Sequence, residues 1–506
     1  MKMLIFILIF QVSLHAFSQT GQLIFKIEDQ SAYQVIAEGE NPDFRLKSAD
    51  AALNSLFSKY QVAGFWQLFP SSKRQELLKY YLLETKDHQK LAGELKAKYN
   101  GRITHVAQYQ EPKALSVPND YNFCLTTGCD GLRSVGLSYL DLINAPEAWE
   151  ITTGDSSVII GMIDSHLFAE HEDLAGKIFR IYDRNLRSSF AVQPDHGTMV
   201  AGVLAAHTNN GKGISSIGYN CRIAKTSTNK NDLLRMAQDG VKVINISQDW
   251  GAANEVDSLL IAELVEDYGV TIVAAAGNEN CAKYTYPASY ENVISVTSVG
   301  HEFARGTTCN GRQFDWKDCH KKYINVPENE YCTHAHNNKV DLCAPGYNIA
   351  TACHPASYVN GLKEPTGQLF ALVDGSSFAS PIVAGVCALM LSINPELNPA
   401  EIRSILQETA ANIDTIPQNA EFAGELGAGR IDAYAAVKKA GTKQLSGELA
   451  SAGITAGYGF MLKNVAVNKN STVILKARKQ IEILEDFEVS SGSTFSVEID
   501  PQARTN

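Results

Sequence analysis

Between residues 158 and 299 the chain alternates short, largely apolar runs with longer helical stretches, and this alternation constrains its fold more than any other feature. The strand-like runs cover residues 158–163, 222–225, 241–246, 270–275 and 293–299, and are largely apolar apart from Arg222, Lys225, Lys242 and Asn245. They lack the every-second-residue polar pattern of a half-exposed strand, so each is expected to be buried on both faces. Helical stretches lie between them at 196–206, 231–239 and 255–268. Strands covered on both faces by helices belong to an α/β domain with a doubly wound, mostly parallel sheet. Such sheets build their sites beyond the C-terminal ends of the strands.

Three segments put chemistry at such places. The run Gly161-Met162-Ile163-Asp164 delivers a carboxylate at the end of a strand. The segment Asp195-His196-Gly197-Thr198-Met199-Val200-Ala201-Gly202 opens a helix on a histidine and carries small residues for close packing. Finally, Gly375-Ser376-Ser377-Phe378-Ala379-Ser380-Pro381 runs into the apolar stretch 382–391, which places the Ser377 hydroxyl at the mouth of a helix. There the unpaired N–H groups and partial positive charge of the first turn face any oxyanion that forms. Taken singly, the three read as a strand-end cap, a satisfied first-turn histidine and an ordinary Ser-rich turn. Taken together, they supply an acid, a base and a nucleophile.

The chain order Asp164, His196, Ser377 is the order found in subtilisin. On these three motifs the chain resembles the subtilisin-like serine peptidases, the subtilases. Two further segments match that family: Val273-Ala274-Ala275-Ala276-Gly277-Asn278, where relatives carry the asparagine of the oxyanion hole, and Gly427-Ala428-Gly429-Arg430-Ile431-Asp432-Ala433, which closes the catalytic domain. The resemblance spans about residues 118–443. It implies that Ser377 attacks a peptide carbonyl while His196 takes its proton and Asp164 orients the imidazole. Asn278 and the Ser377 N–H would hold the oxyanion, and Ser247, Gln248 and Asp249 would line the bound substrate. Two departures stand out. Asp164-Ser165-His166 carries a bulky imidazole where relatives commonly have glycine, and Gln248-Asp249-Trp250-Gly251 replaces the usual Leu-Gly-Gly or Trp-Gly. His166 reads as a packing or surface variant, since the triad already has its base. Asp249 would favour basic substrate side chains if it faces the cleft and matter little if it faces solvent.

Composition sets the surroundings. A chain of 506 residues, 45% hydrophobic and 20% charged, can bury a large core and carry accessory domains. The net charge of -11, without any clustered Lys/Arg stripe, excludes a phosphate-binding face and hence a nucleic-acid partner. Residues 1–18 pair a basic start with an apolar run and small residues, the pattern of a cleaved secretory signal. The product is therefore expected outside the cell or at its surface. No later stretch is read as long enough to be a transmembrane segment.

From 19 to 115, strand-like pieces at 22–27 and 102–109 flank helical runs at 49–60 and 91–99, an α+β pattern. Its position resembles the subtilase propeptide, which implies a folding aid and a temporary inhibitor of the same chain; a permanent N-terminal domain is the alternative. The catalytic domain would occupy 116–442, with a Cys- and His-rich insertion at 301–338 placed as a surface loop. Residues 443–506 turn to short β-pieces, and the similarity of 471–475 to 493–497 suggests a small β-repeat domain.

The ten cysteines of a secreted chain suggest disulfides. Cys387, inside the apolar helix, reads as a buried thiol, and Cys221 is its companion by parity. Cys124 and Cys129 suit a local bridge. Cys281, Cys309, Cys319, Cys332, Cys343 and Cys353 leave fifteen pairings open. A zinc site from Cys309, Cys319, Cys332, His320, His334 and His336 lacks paired C-x-x-C spacing. The resemblance requires no cofactor for catalysis but leaves a structural calcium open, with Asp173 and the turn Asn209-Asn210-Gly211-Lys212-Gly213 as candidate ligands. The function expected from all this is a secreted serine endopeptidase acting on proteins or peptides. The alternative is an inactive subtilase fold serving as a binding scaffold.

Overall fold

The pieces of the N-terminal segment have one apolar side, and they pair accordingly into a sheet with one covered face. The computed structural model describes residues 21–28, 35–38, 45–48, 50–62, 64–67, 74–85, 87–109, 117–121, 137–182, 195–227, 229–279, 281–301, 308–309, 312–313, 320, 322–326, 329–332, 334–355, 369–484 and 486–500. These fall into two units, Met1–Ala114 and Leu115–Asn506. The expected signal segment, 1–18, and Cys124, Cys129 and Cys319 lie outside the described residues.

In the first unit the strands are β1 (Gly21–Ile27), β2 (Val35–Glu38), β3 (Arg45–Ser48), β4 (Gly64–Gln67), β5 (Tyr80–Thr85) and β6 (Ile103–Tyr109). A four-stranded antiparallel sheet runs in the order β4-β5-β1-β6, and β2 pairs with β3 apart from it. Leu23, Phe25 and Ile27 alternate onto one face with Tyr81, Leu83 and Ile103. That face packs against helices α1 (Ala51–Lys59) and α2 (His88–Lys98) through Leu53, Leu56, Phe57, Leu91 and Leu95. Asp50 caps α1 by accepting from the Ala52 and Leu53 N–H groups.

The second unit opens with two short helices, α3 (Ser138–Leu142) and α4 (Ala145–Trp149). It is then built on a seven-stranded sheet, whose first members are β7 (Ile159–Ile163), β8 (Ile178–Ile181), β9 (Arg222–Thr226), β10 (Val243–Ile246), β11 (Thr271–Ala275) and β12 (Val293–Val299). Between them lie α5 (His196–Ala205), α6 (Asn231–Gln238) and α7 (Glu255–Ala262), the last continued by a wider π turn at Glu263–Asp267. Within the insertion, β13 (Thr308–Cys309) pairs with β14 (Arg312–Gln313) and β15 (Lys322–Val326) with β16 (Asn329–Cys332). The seventh strand is β17 (Leu342–Pro345), and the order is β17-β12-β11-β10-β7-β9-β8, parallel throughout. Every residue of β7, β10, β11, β12 and β17 is buried, as the largely apolar runs require. The sheet is the doubly wound α/β sheet read from the alternation. A separate antiparallel pair, β18 (Ile349–Ala352) and β19 (Phe370–Val373), precedes the central helix α8 (Ser376–Ile393).

Helix α8 corrects one expectation. Its 18 residues have a mean hydropathy of 1.8, so one later stretch is long and apolar enough to span a membrane by composition alone. Yet 94% of it is buried inside the protein, against the sheet and α5, so its apolarity is that of a core helix. Helices α9 (Pro399–Thr409) and α10 (Ala433–Ala440) follow, α9 entered through a capping box of Asn398 and Glu401.

The C-terminal strands β20 (Thr442–Leu449), β21 (Ala452–Ala456), β22 (Gly459–Val467), β23 (Thr472–Ala477), β24 (Gln480–Ile483), β25 (Phe487–Val489) and β26 (Thr494–Ile499) stack in parallel as two facing sheets. The similar segments noted in the sequence lie on top of each other, Thr472 opposite Thr494 and Val473 opposite Phe495. Each turn of this stack points Phe460, Leu462, Val465, Val467, Val473 or Leu475 inward, which is why the repeat recurs. It belongs to the second unit: Tyr458 N–H donates to Gly441 O at 2.8 Å, and the Arg478 guanidinium donates to Ile151 O.

Among the cysteines, Cys221 and Cys387 are buried free thiols, and burial pushes both thiols up, Cys387 to about 12. Cys281, counted in the sequence among candidates for pairing, is instead exposed and free. The Cys343 thiol donates to Leu426 O at 3.3 Å.

Candidate active site

Asp164 and His196 meet because a strand end and a helix start are pressed together. Asp164 follows β7, its N–H bonded to Thr226 O at 2.9 Å, and its side chain is 1% exposed. Its Oδ1 accepts both from the Ser165 N–H at 2.7 Å and from His196 Nδ1 at 2.8 Å. Gly197 makes this approach feasible. A Cβ there would stand 2.6 Å from Ser165 O and 2.7 Å from His166 O, so any larger residue would push α5 away from the carboxylate. The His166 side chain is exposed, which is how the turn takes an imidazole in place of glycine without closing this gap. With Nδ1–H committed to Asp164, Nε2 is left as the basic nitrogen, and a third of the side chain remains open. Burial pushes the His196 pKa down, but the charge of Asp164, its hydrogen bond and the charge of Asp195 outweigh this and leave it raised.

Ser377 is the second residue of α8, 8% exposed, with Phe378 following it and the Phe378 ring 5.5 Å from that of His196. Pro381 lies inside the helix and has no N–H to offer the Ser377 carbonyl four residues back. Ser247 supplies the missing donor: its hydroxyl donates to Ser377 O at 2.9 Å, stands 3.0 Å from Ser380 Oγ and accepts from Asn245 Nδ2 at 2.9 Å. The structure therefore turns the Ser247 side chain, expected among the substrate contacts, inward behind the nucleophile. Gln248 and Asp249 continue outward, Asp249 exposed, with its Oδ1 accepting from the Gly251 N–H at 2.7 Å and Lys283 Nζ 3.6 Å from its Oδ2. Asp249 is thus an exposed, paired carboxylate.

Asn278 is held from the other side by Ser376, a residue that sequence reasoning passed over. The Ser376 N–H donates to Asn278 Oδ1 at 2.8 Å, and its hydroxyl stands 2.9 Å from both Asn278 Oδ1 and Gly277 O. Ser376 is fully buried. With the amide oxygen taken, the amide N–H groups are the donors Asn278 has left to offer. Asn278 Nδ2 sits 3.6 Å from where a Gly375 Cβ would be, beside the start of α8. Gly277, at φ +113°, makes the turn that brings Asn278 there.

The proposed calcium ligands are knit by their own donors. Asp173 accepts from Asn210 Nδ2 at 3.0 Å and from the Ile214 N–H at 2.8 Å, while Asn210 Oδ1 accepts from the Lys212 N–H at 2.9 Å. The two Asn210 bonds fix its amide with the nitrogen toward Asp173, a donor where calcium needs an oxygen. Asn209 Oδ1 is taken by the Asn119 N–H at 2.9 Å. These residues do not fit a calcium ion, and among the described residues no cluster of three or more His, Cys, Asp or Glu has the geometry to hold a metal. His320 of the zinc alternative points its ring nitrogens at Ser298 O, 2.8 Å, and His334 O, 3.2 Å, and His336 Nδ1 at Glu425.

Residues 155–447, more than half of the chain, match the subtilase family of peptidases. Among curated proteins the chain is similar to a thermophilic serine proteinase of a Bacillus species, 32% identical over 304 residues, covering 57% of this chain and 64% of the relative. A halolysin-like extracellular serine protease of Natrialba magadii is 29% identical over 317 residues, covering 58% and 50%. Thermitase of Thermoactinomyces vulgaris is 29% identical over 308 residues, covering 58% and 94%. The chain thus spans half to just under two thirds of the first two relatives and nearly all of the third.

Proposed function

Because this chain belongs to the subtilase family, we propose that it is a secreted serine endopeptidase, cleaving proteins or peptides through Asp164, His196 and Ser377. The observation that carries the reading is the 2.8 Å bond from His196 Nδ1 to a buried Asp164, made beside the helix mouth at Ser377. In this reading His196 Nε2 removes the hydroxyl proton as Ser377 Oγ attacks the carbonyl carbon. The oxyanion is received by the Asn278 amide and the Ser377 N–H, the orphan donor of the first helical turn. His196 then gives its proton to the leaving amine, and water repeats the steps on the acyl-enzyme. No metal or cofactor takes part in these steps.

Supporting secretion are the signal-like residues 1–18 and the extracellular protease among the relatives. Residues 19–115 act as propeptide and temporary inhibitor, 116–442 as the catalytic domain, and 443–506 as an accessory β domain. A fluorophosphonate probe tests the core of the reading: it labels the wild type and not Ser377→Ala. Failure to label the purified, processed wild type overturns the proposal and favours an inactive scaffold.

The raised His196 pKa gives the reading a pH signature. The base must be neutral in the free enzyme, so kcat/KM falls as pH drops through that pKa. The acid limb is expected above the ordinary imidazole value of 6.5. Asp164→Asn removes the main upward influence, so the limb moves to lower pH while kcat falls about 10⁴-fold. A kcat/KM profile of both proteins checks it; a limb that does not move contradicts the Asp164–His196 coupling.

A further inference from the structure

Three charged side chains flank the candidate reaction centre, and one of them holds the balance. Strands β10 and β11 are neighbours, Ile246 beside Ala274, and they continue into 247–251 and 276–279. Trp250 N–H donates to Tyr286 O at 2.7 Å, tying the first continuation to the segment that follows Lys283. Asp249 stands on one continuation and Glu279, next to Asn278, on the other. Lys283 lies between: its ammonium is paired with Glu279 Oε1 and is 3.6 Å from Asp249 Oδ2. Its backbone is pinned, because Asn337 Nδ2 donates to Lys283 O at 2.6 Å and the preceding Ala282 bridges to His336. The pairing with Lys283 holds the Glu279 carboxyl below the usual range, and pairing with Glu279 and Asp249 raises the Lys283 ammonium.

A carbonyl received by the Asn278 amide brings its own residue next to Glu279, the neighbour of Asn278 in the chain. An entering side chain meets two carboxylates whose fields are largely cancelled by one ammonium already shared between them. We propose that Lys283 is a specificity-determining residue, keeping this cleft receptive to uncharged side chains by neutralising Glu279 and Asp249. Without it, the same cleft carries two unpaired carboxylates and selects lysine and arginine. This rests on the peptidase reading above. It also revises the role of Asp249, whose charge reaches a substrate only when Lys283 is absent.

The effect is electrostatic and partly solvent-exposed, so it is moderate and sensitive to salt. The test uses Lys283→Met, which keeps the apolar stem, on peptides that differ only in the residue donating the cleaved carbonyl. The ratio of kcat/KM for lysine over leucine is expected to rise about tenfold, an effect of order 1.4 kcal/mol in the conversion tenfold per 1.4 kcal/mol. Raised ionic strength should shrink the change, and Lys283→Arg should keep the wild-type ratio. Adding Glu279→Gln and Asp249→Asn to Lys283→Met should return it. An unchanged ratio in a Lys283→Met protein that still takes the fluorophosphonate label overturns the specificity role alone. A wild type that neither labels nor cleaves overturns it together with the peptidase reading.

Discussion

Ser377→Ala is expected to abolish peptide hydrolysis, lowering kcat by roughly a millionfold, the loss seen when the nucleophile is removed from subtilisin itself. The fold should survive, because the change deletes one oxygen at the first turn of α8 and leaves the Ser377 carbonyl bonded to Ser247. His196→Ala should cost nearly as much. Without the base the hydroxyl is no better a nucleophile than water, so the two losses do not add. If the segment 19–115 is removed by the enzyme's own action, Ser377→Ala should accumulate the uncleaved form, visible as a larger secreted product with its N-terminus near Gln19. Near-normal turnover in either variant refutes the triad. An active wild type that still begins at Gln19 refutes the propeptide.

Asn278→Ala is expected to lower kcat by about 100- to 1000-fold with little change in KM, because the lost donor serves the oxyanion and not the ground-state carbonyl; that range was measured on subtilisin. Ser376→Ala reports on the same donor indirectly. It leaves the backbone N–H bond to Asn278 Oδ1 but removes the hydroxyl at 2.9 Å, so the amide turns more freely and kcat drops by roughly tenfold. Both variants should retain the fluorophosphonate-reactive serine. Steady-state kinetics on one peptide separates the outcomes: a KM effect in place of a kcat effect would place Asn278 in ground-state binding.

Much of the scaffold was legible because burial on two faces leaves a mark that needs no partner to interpret. The largely apolar runs ending at Ile163, Ile246 and Ala275 read as central parallel strands, and they are. The repeat near Thr472 and Thr494 was equally visible, since each turn of a stack must point the same residue types inward. The β4-β5 pairing of the N-terminal unit and the short strand β8 were not read, because short strands of mixed composition differ little from loops.

At the candidate site, residue types and chain order were enough to nominate Asp164, His196 and Ser377, because acyl transfer needs a nucleophile, a base and an orienting acid, while Asn278 came from the resemblance to the subtilases. What those residues touch was decided only in three dimensions. Ser247 was placed on the substrate edge, and which group its hydroxyl answers to emerged only in three dimensions: with no Pro381 N–H available, it donates to Ser377 O, 130 residues away in the chain. Ser376 looked like an ordinary member of a Ser-rich turn until packing set it against Asn278. Asp249 had no visible charged partner in its own segment, since Lys283, 34 residues on in the chain, is the cation beside it. Local sequence determines which residue can do a given chemistry, because that depends on the side chain and the element carrying it. Which oxygen, nitrogen or charge each one answers to is set by strand adjacency and helix packing, contacts between segments that carry no trace of each other along the chain.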